Sequence, residues 1–331
     1  MIQRRAFVAS SLSAAAVLAA LPLRAAFAQS PAPGAGRPIR LVVGYPAGGT
    51  ADALARIYAE ELGKRLGGPV VVDNRPGAGG QLAAEQFRSA PSDGSTLLLA
   101  NSHMMTTLPL TSRSVKYDPM KDFAPVARMA TFELALAVSA GLPAKTFEEY
   151  LALAKAQPEQ RNFGIPAAGS GPHFAGYLVG KKRGIDLQPV PYKGGAPLLA
   201  DLIGGHIPAA VDALGGLLEP HRAGKLRILA VTGPQRAAGL PDVPTFSQLG
   251  FAELTSSNWV GLFAPLGLPP AQVQQIEKAV AEVAALPAVA AKLPGIGFAP
   301  GASTAQQLRE VVRNDLALWQ PVIAQSGFKM D

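Results

Sequence analysis

The chain has 331 residues, 48% hydrophobic and 16% charged, with a formal net charge of +7. That is enough apolar material for a large core and for more than one domain. There is no cysteine, which excludes disulfides, thiolate metal sites and cysteine nucleophiles. The basic excess is scattered rather than gathered into a stripe, so nucleic-acid binding has no support.

The first residues, "MIQRRAFVASSLSAAAVLAALPLRAAFA", run from a paired Arg4-Arg5 through a mildly apolar segment to Ala26-Phe27-Ala28. This reads as a signal peptide over 1–28, cleaved after Ala28 on export to the periplasm. "RRAFVAS" resembles the twin-arginine export signal, although Gln3 stands where that signal has Ser or Thr, which leaves the general secretory route open. Its Ala and Ser content and Pro22 argue against a membrane anchor. Cleavage leaves 27 Lys+Arg against 23 acids, a net +4, a bias that suits a small anionic ligand.

Residues 29–37, rich in Pro and Gly, read as a linker. Ile39 to Val43 is a buried strand. Leu54, Tyr58, Leu62 and Leu66, with Ile57, then make one apolar helix face that ends at Gly67-Gly68. "PVVVDNRPGAGGQLAAEQF" repeats the order of strand, glycine turn and helix, and "GSTLLLANS" is a third strand. Such alternation predicts parallel sheets covered by helices. Further on, "LALAV", "NFGI", "LQPVPY", "HIPAAVD" and "KLRILAVTG" are strand-like. Thr146 and Glu149 form a capping box for a helix stopped by Pro158. Near the C-terminus, Val273, Ile276, Val280 and Val283 mark an amphipathic helix. Ser303 and Gln306 are expected to cap the last one, which buries Leu308, Val311, Val312, Leu316 and Trp319.

Catalytic motifs are thin. Gly44 to Gly49 has P-loop spacing, but Thr50 stands where the phosphate-binding Lys belongs. "GAGGQL" lacks the third glycine of a dinucleotide fingerprint, and "AGSGPH" has Ala168 and Pro172 where a nucleophile elbow has glycine. The four histidines have no metal-ligand spacing, so no metal or cofactor is expected. What remains is anion binding by backbone N–H groups at helix starts. Gly48 and Gly49 allow close approach there and Thr50 is placed to cap the helix. Ser170 is a good N-cap for a second helix, with Pro172 at its first position and His173 in its first turn.

The segments "VGYPAGGTADALAR", "VVVDNRPGAGGQLAAE", "YDPMKDFAPVA", "GSGPHFAG", "VPYKGGAPLLADLIGGHI", "LPDVPTFSQLGF" and "WVGLFAPLGLPPAQV" occur in this order. Together they resemble the Bug family, the periplasmic solute receptors of tripartite tricarboxylate transporters. The resemblance implies an α/β, two-lobed periplasmic binding protein of the Venus flytrap type, each lobe a sheet flanked by helices. Lobe one would be 38–130 plus 250–331 and lobe two 131–249. It also implies a monomeric, non-enzymatic receptor that captures a small organic acid for membrane permease subunits. The ligand carboxylate would meet the first loop at Tyr45, Pro46, Ala47, Gly48, Gly49 and Thr50. Lobe two would add Ser170, Gly171 and His173, the segment Tyr192, Lys193, Gly194 and Gly195, and Asp212. Tyr45 replaces the family's common Phe and adds a hydroxyl. Asn101, Ser102 and His103 stand where the family varies, and they are expected to set specificity. His103, as imidazolium, could pair with a second carboxylate. The competing reading is a hydrolase with Ser170 as nucleophile and His173 as base, which lacks an orienting acid. A third is a ligand-sensing receptor without a transporter.

Overall fold

β1 (Ile39–Val43) lies in a six-stranded sheet between β2 (Val70–Asn74) and β3 (Thr96–Asn101), parallel to both. The computed structural model describes residues 37–330 except 238 and 256. The signal peptide and all of the linker but Arg37 lie outside the described residues. The sheet is completed by β4 (Phe123–Phe132), β10 (Asn258–Pro265) and β11 (Ala299–Ser303), in the order β11-β4-β10-β3-β1-β2. The second sheet has β5 (Leu134–Ser139), β6 (Asn162–Ile165), β7 (Gln188–Pro191), β8 (Ala209–Ala213) and β9 (Leu226–Val231), in the order β7-β6-β8-β5-β9.

Both sheets are mixed rather than parallel. β10 is antiparallel to β3 and β4, β11 is antiparallel to β4, and β5 is antiparallel to β8 and β9. The cause is the crossing of the chain between sheets. Strands joined to their neighbours by helices run parallel, whereas β10, arriving from the second sheet, enters the first from the opposite end.

The helix Thr50–Leu66 shows why its pattern was legible. Leu54, Tyr58, Leu62 and Leu66 are all fully buried against β1 and β3, and each such side chain contributes about 1.5–3 kcal/mol. Tyr58 also donates its hydroxyl to the Met129 carbonyl at 2.6 Å, tying the helix to β4. Gly67, at φ 74°, ends the helix in the left-handed conformation that glycine adopts freely.

The last helix, Ala305–Ser326, begins one residue later than expected. Thr304 and Gln307, not Ser303 and Gln306, form its capping box. Its 22 residues span about 33 Å, long enough to serve both sheets. Leu308 and Val312 pack with Trp259 beside the six-stranded sheet. Val322 and Ile323 pack on Phe174, from the helix Gly171–Arg183 that follows β6.

Candidate functional site

The first loop runs from the end of β1 to the helix Thr50–Leu66, and Pro46 through Thr50 are exposed. Gly48, at φ 81°, supplies the positive φ the turn needs. Gly49 is the N-cap and Thr50 is the first helical residue, so Thr50 does not cap the helix as expected. The fixing group is Asp52, 3% exposed in the first helical turn. One of its oxygens accepts both the Gly48 N–H and Arg56 Nε, each at 2.9 Å. The Arg56 guanidinium holds this carboxyl below the usual range. An acid here is favoured by the helix dipole and reaches the loop amide that precedes the helix. One loop amide is thus already satisfied from within. The N–H groups of Thr50 and Ala51, in the first helical turn, have no intrahelical acceptor.

Tyr45 turns inward from the same loop. Its hydroxyl donates to Asn101 Oδ1 at 2.9 Å and approaches the Gly79 carbonyl at 3.2 Å, and burial pushes its pKa well up. Asn101 Oδ1 also accepts the Met104 N–H at 3.0 Å, at the start of the helical segment His103–Thr107. Ser102 donates to Asn258 Oδ1 at 3.1 Å, joining the end of β3 to the start of β10. His103 Nδ1 lies 2.7 Å from Thr107 Oγ1, and a Cβ placed on Gly79 would lie 2.9 Å from its Nε2. Burial lowers its pKa to about 4. Burial by itself thus favours the neutral ring.

On the second sheet, Ser170 is the N-cap of the helix Gly171–Arg183 as expected, but Pro172 is its second residue, not its first. The Ser170 hydroxyl donates backward to the Ala167 carbonyl at 2.7 Å. His173 Nδ1 accepts the Gly169 N–H at 3.1 Å, which places the ring proton on Nε2. The ring stacks on Phe174 and meets Phe328 edge-on, and burial lowers its pKa. Neither arrangement activates a serine, since the hydroxyl proton is committed to a carbonyl and the candidate base is already accepting.

Tyr192 is half-buried and donates its hydroxyl to Asp201 Oδ2 at 2.7 Å, while Lys193 is exposed. Gly194, at φ 101°, is the N-cap of the helix Gly195–Gly204. Asp212, at the end of β8, lies against that helix start: its Oδ2 would be 2.6 Å from a Cβ on Gly195. Its Oδ1 accepts the Ala213 N–H at 2.7 Å, and burial pushes its pKa up to about 6. A carboxylate of the chain itself thus lies against this helix start.

Among the candidate residues, Ser102, His103 and Gly171 line one cavity of about 20 Å³, together with Thr106, Thr107, Ser257, Asn258, Asp315 and Trp319. The loop from Tyr45 to Thr50, the segment from Tyr192 to Gly195, and Asp212 are not among its walls. The cavity holds about one water. Asp315 accepts from Trp259 Nε1 at 2.7 Å, and burial pushes its pKa up to about 6. Sequence reasoning had singled out none of Asp52, Asn258 and Asp315. Only Asp52 carried a local signal, its i,i+4 spacing to Arg56. The two halves also touch where the helix Leu214–Arg222 meets the turn after Pro294–Ile296. A Cβ on Gly215 would lie 1.9 Å from Gly297 Cα, so only glycine fits there. Among the described residues no group of acids and histidines could hold a metal.

The family model described as "Tripartite tricarboxylate transporter family receptor" matches residues 54–328. BugT of Bordetella pertussis is 32% identical over 295 residues, 89% of this chain and 90% of BugT. Of solved structures, a Rhodopseudomonas palustris protein with adipate superposes with a TM-score of 0.80 at 32% identity, covering 88% of this chain and 97% of that one. MatC from Rhodopseudomonas palustris, with bound malate, gives 0.76 at 27% identity, covering 86% and 98%. A structure of the periplasmic binding protein BugD gives 0.78 at 26% identity, covering 88% and 98%. The two mixed sheets, the glycine loop after β1 and these matches agree, and the chain belongs to the tripartite tricarboxylate transporter receptor family.

Proposed function

We propose that this chain is a periplasmic receptor that captures a small organic diacid between its lobes and delivers it to membrane permease subunits. The observation that carries this reading is the first loop. It presents the amides of Thr50 and Ala51 at the positive end of a 17-residue helix, with no Lys or Arg required. The similar structures with adipate and with malate support a diacid as the ligand class. Gly171 faces Ser102 and His103 from the other half and supplies the second wall. Lobe one is 38–130 plus 250–331 and lobe two is 131–249, although the last helix leans on both.

A cavity of about 20 Å³ is too small for a four- to six-carbon diacid. Ligand entry therefore requires the halves to separate, and closure excludes the water that would weaken the amide contacts. Tyr45, Asn101, Ser102 and His103 set ligand length and polarity, and His103 does so as a neutral ring. Asp212, beside the helix start at Gly195, offers an acceptor for a ligand hydroxyl. The receptor is a monomer exported by the signal peptide cleaved after Ala28, and it performs no chemistry on its ligand.

Trp319 lines the cavity, so its fluorescence reports occupancy. The test is fluorescence and calorimetric titration with mono-, di- and tricarboxylates, adipate and malate included. Saturable binding of at least one diacid is expected. A flat response to every acid overturns the reading.

A further inference from the structure

Glu133 is the single residue between β4 and β5, on the first passage of the chain from one sheet to the other. The return passage runs from the end of β9 to the start of β10. The Glu133 carboxylate meets both ends of that return. Its Oε2 accepts from Thr232 Oγ1 at 2.6 Å, just past β9. Its Oε1 accepts from Ser257 Oγ, just before β10. The contact is fitted on every side. Thr232 Oγ1 accepts the Leu134 N–H at 2.9 Å, so its proton is directed to Glu133. Gly233, at φ 97°, leaves room for the carboxyl: a Cβ there would lie 2.8 Å from Glu133 Cδ. The Glu133 carbonyl accepts the Leu214 N–H at 2.8 Å, one residue from the Gly215–Gly297 contact between halves.

We propose that Glu133 is a hinge tie: its carboxylate bonds the two interlobe passages to each other and holds the lobes in the closely apposed arrangement seen here. This rests on the two-lobed receptor reading given above. Thr232 follows a strand of the five-stranded sheet and Ser257 precedes a strand of the six-stranded one, so one side chain spans the axis about which the halves turn. Bonds to a charged acceptor are stronger than neutral ones, and losing one shifts a two-state ratio by about tenfold. The tie also reaches the ligand side. Ser257 precedes Asn258, whose Oδ1 accepts from Ser102, and Ser257 and Asn258 both line the cavity. A change of ligand at Ser102 is thereby felt at the hinge through two adjacent residues.

The chain has no cysteine, so two introduced ones can be spin-labelled without background. Exposed Glu60, on the helix Thr50–Leu66, and exposed Lys155, on the helix Phe147–Ala156, sit on opposite halves. The pair E60C and K155C gives an interlobe distance distribution by pulsed electron resonance, with no ligand needed. In the parent a short-distance population should dominate. Glu133→Ala should move most molecules to a longer distance, Ser257→Ala should do so in part, and Glu133→Gln, whose amide oxygen still accepts from one hydroxyl while its NH2 donates to the other, should restore the short-distance population in part. If Glu133→Ala unfolds the chain, Ser257→Ala alone decides. Parental distributions in the folded alanine variants, or no restoration by glutamine, would overturn the proposal. Adipate and malate are then titrated into parent and variants. If neither binds the parent while the distances still shift, the hinge tie stands and the diacid reading fails. If the parent binds and the distances do not shift, the reverse holds.

Discussion

The Tyr45 hydroxyl donates to Asn101 Oδ1 at 2.9 Å, bonding the loop after β1 to the end of β3. The two residues are 56 positions apart, and the bond ties the loop that precedes the helix Thr50–Leu66 to the strand end beside Ser102 and His103. Asn101 in turn accepts from Met104 N, so the loop is braced against the start of the following helical segment.

Replacing Tyr45 by Phe removes one half-buried hydroxyl and leaves Asn101 with its Met104 partner. Stability should fall by about 0.5–1.5 kcal/mol, the net worth of an ordinary hydrogen bond. Diacid affinity should change by less than about tenfold, because the ring still packs in the core and the loop amides are untouched. Urea unfolding read beside calorimetry checks both numbers, and a larger loss of affinity would make Tyr45 a direct ligand contact.

Asp52 should matter more than its absence from any ligand contact suggests. Asp52→Asn weakens the acceptor for Gly48 N–H and loses the charge beside Arg56. A stability loss of about 1–2 kcal/mol at pH 7 is expected, discounted because Arg56 is largely exposed. The folded pKa lies below the ordinary 3.8, so this contribution is present above that value and is lost as the pH falls through the depressed one. The gap between parent and variant should therefore close in acid unfolding curves below about pH 4.

Asp315 behaves in the opposite sense. Its folded pKa is raised by burial to about 6, so the folded state binds a proton more tightly than the unfolded chain does. That advantage is complete below 3.8 and is lost as the pH rises through about 6. Asp315→Asn keeps an acceptor for Trp259 Nε1 and removes the buried charge. The variant should be more stable by about 1–3 kcal/mol at pH 7, with a flatter stability profile between about pH 4 and 6. Asp212, raised to about 6 as well, should supply the slope that remains. Thermal melts across that range decide it, and an unchanged profile would show that Asp315 does not carry this charge cost.

His103 should titrate near pH 4 in the free protein, as followed by nuclear magnetic resonance of its ring protons. His103→Ala should consequently leave the pH dependence of diacid binding between about pH 6 and 8 unaltered, while changing affinity through lost packing and the lost Thr107 bond. A ring midpoint above 6 would restore it as a charged partner.

Much of the scaffold was legible because it is local. The four-residue spacing of Leu54, Tyr58, Leu62 and Leu66 marks one helix face wherever that helix packs, and all four are buried. The glycines after β1 mark a turn that holds backbone amides near a helix start, whatever lies opposite. Thr146 accepts the Glu149 N–H at the helix start where the capping pattern put it. The strand directions were not legible, because a run such as "NWVGLFAP" reads alike in either sense, and β10 runs antiparallel only because the chain returns from the other sheet.

The same limit applies to the site. Glu133 meets Thr232 and Ser257 across 99 and 124 positions, and Asp315 meets Trp259 across 56. No periodicity links such partners, since their proximity comes from the crossing of the chain between sheets, or from a helix packing on a distant strand, and not from the turn of one helix. Asp52 satisfies the Gly48 amide from within the loop's own helix, and Asp212 lies against the helix start at Gly195. Composition and spacing name the groups that can hold an acid, but burial, which shifts the pKa values of His103, Asp212 and Asp315, exists once the chain has folded around them.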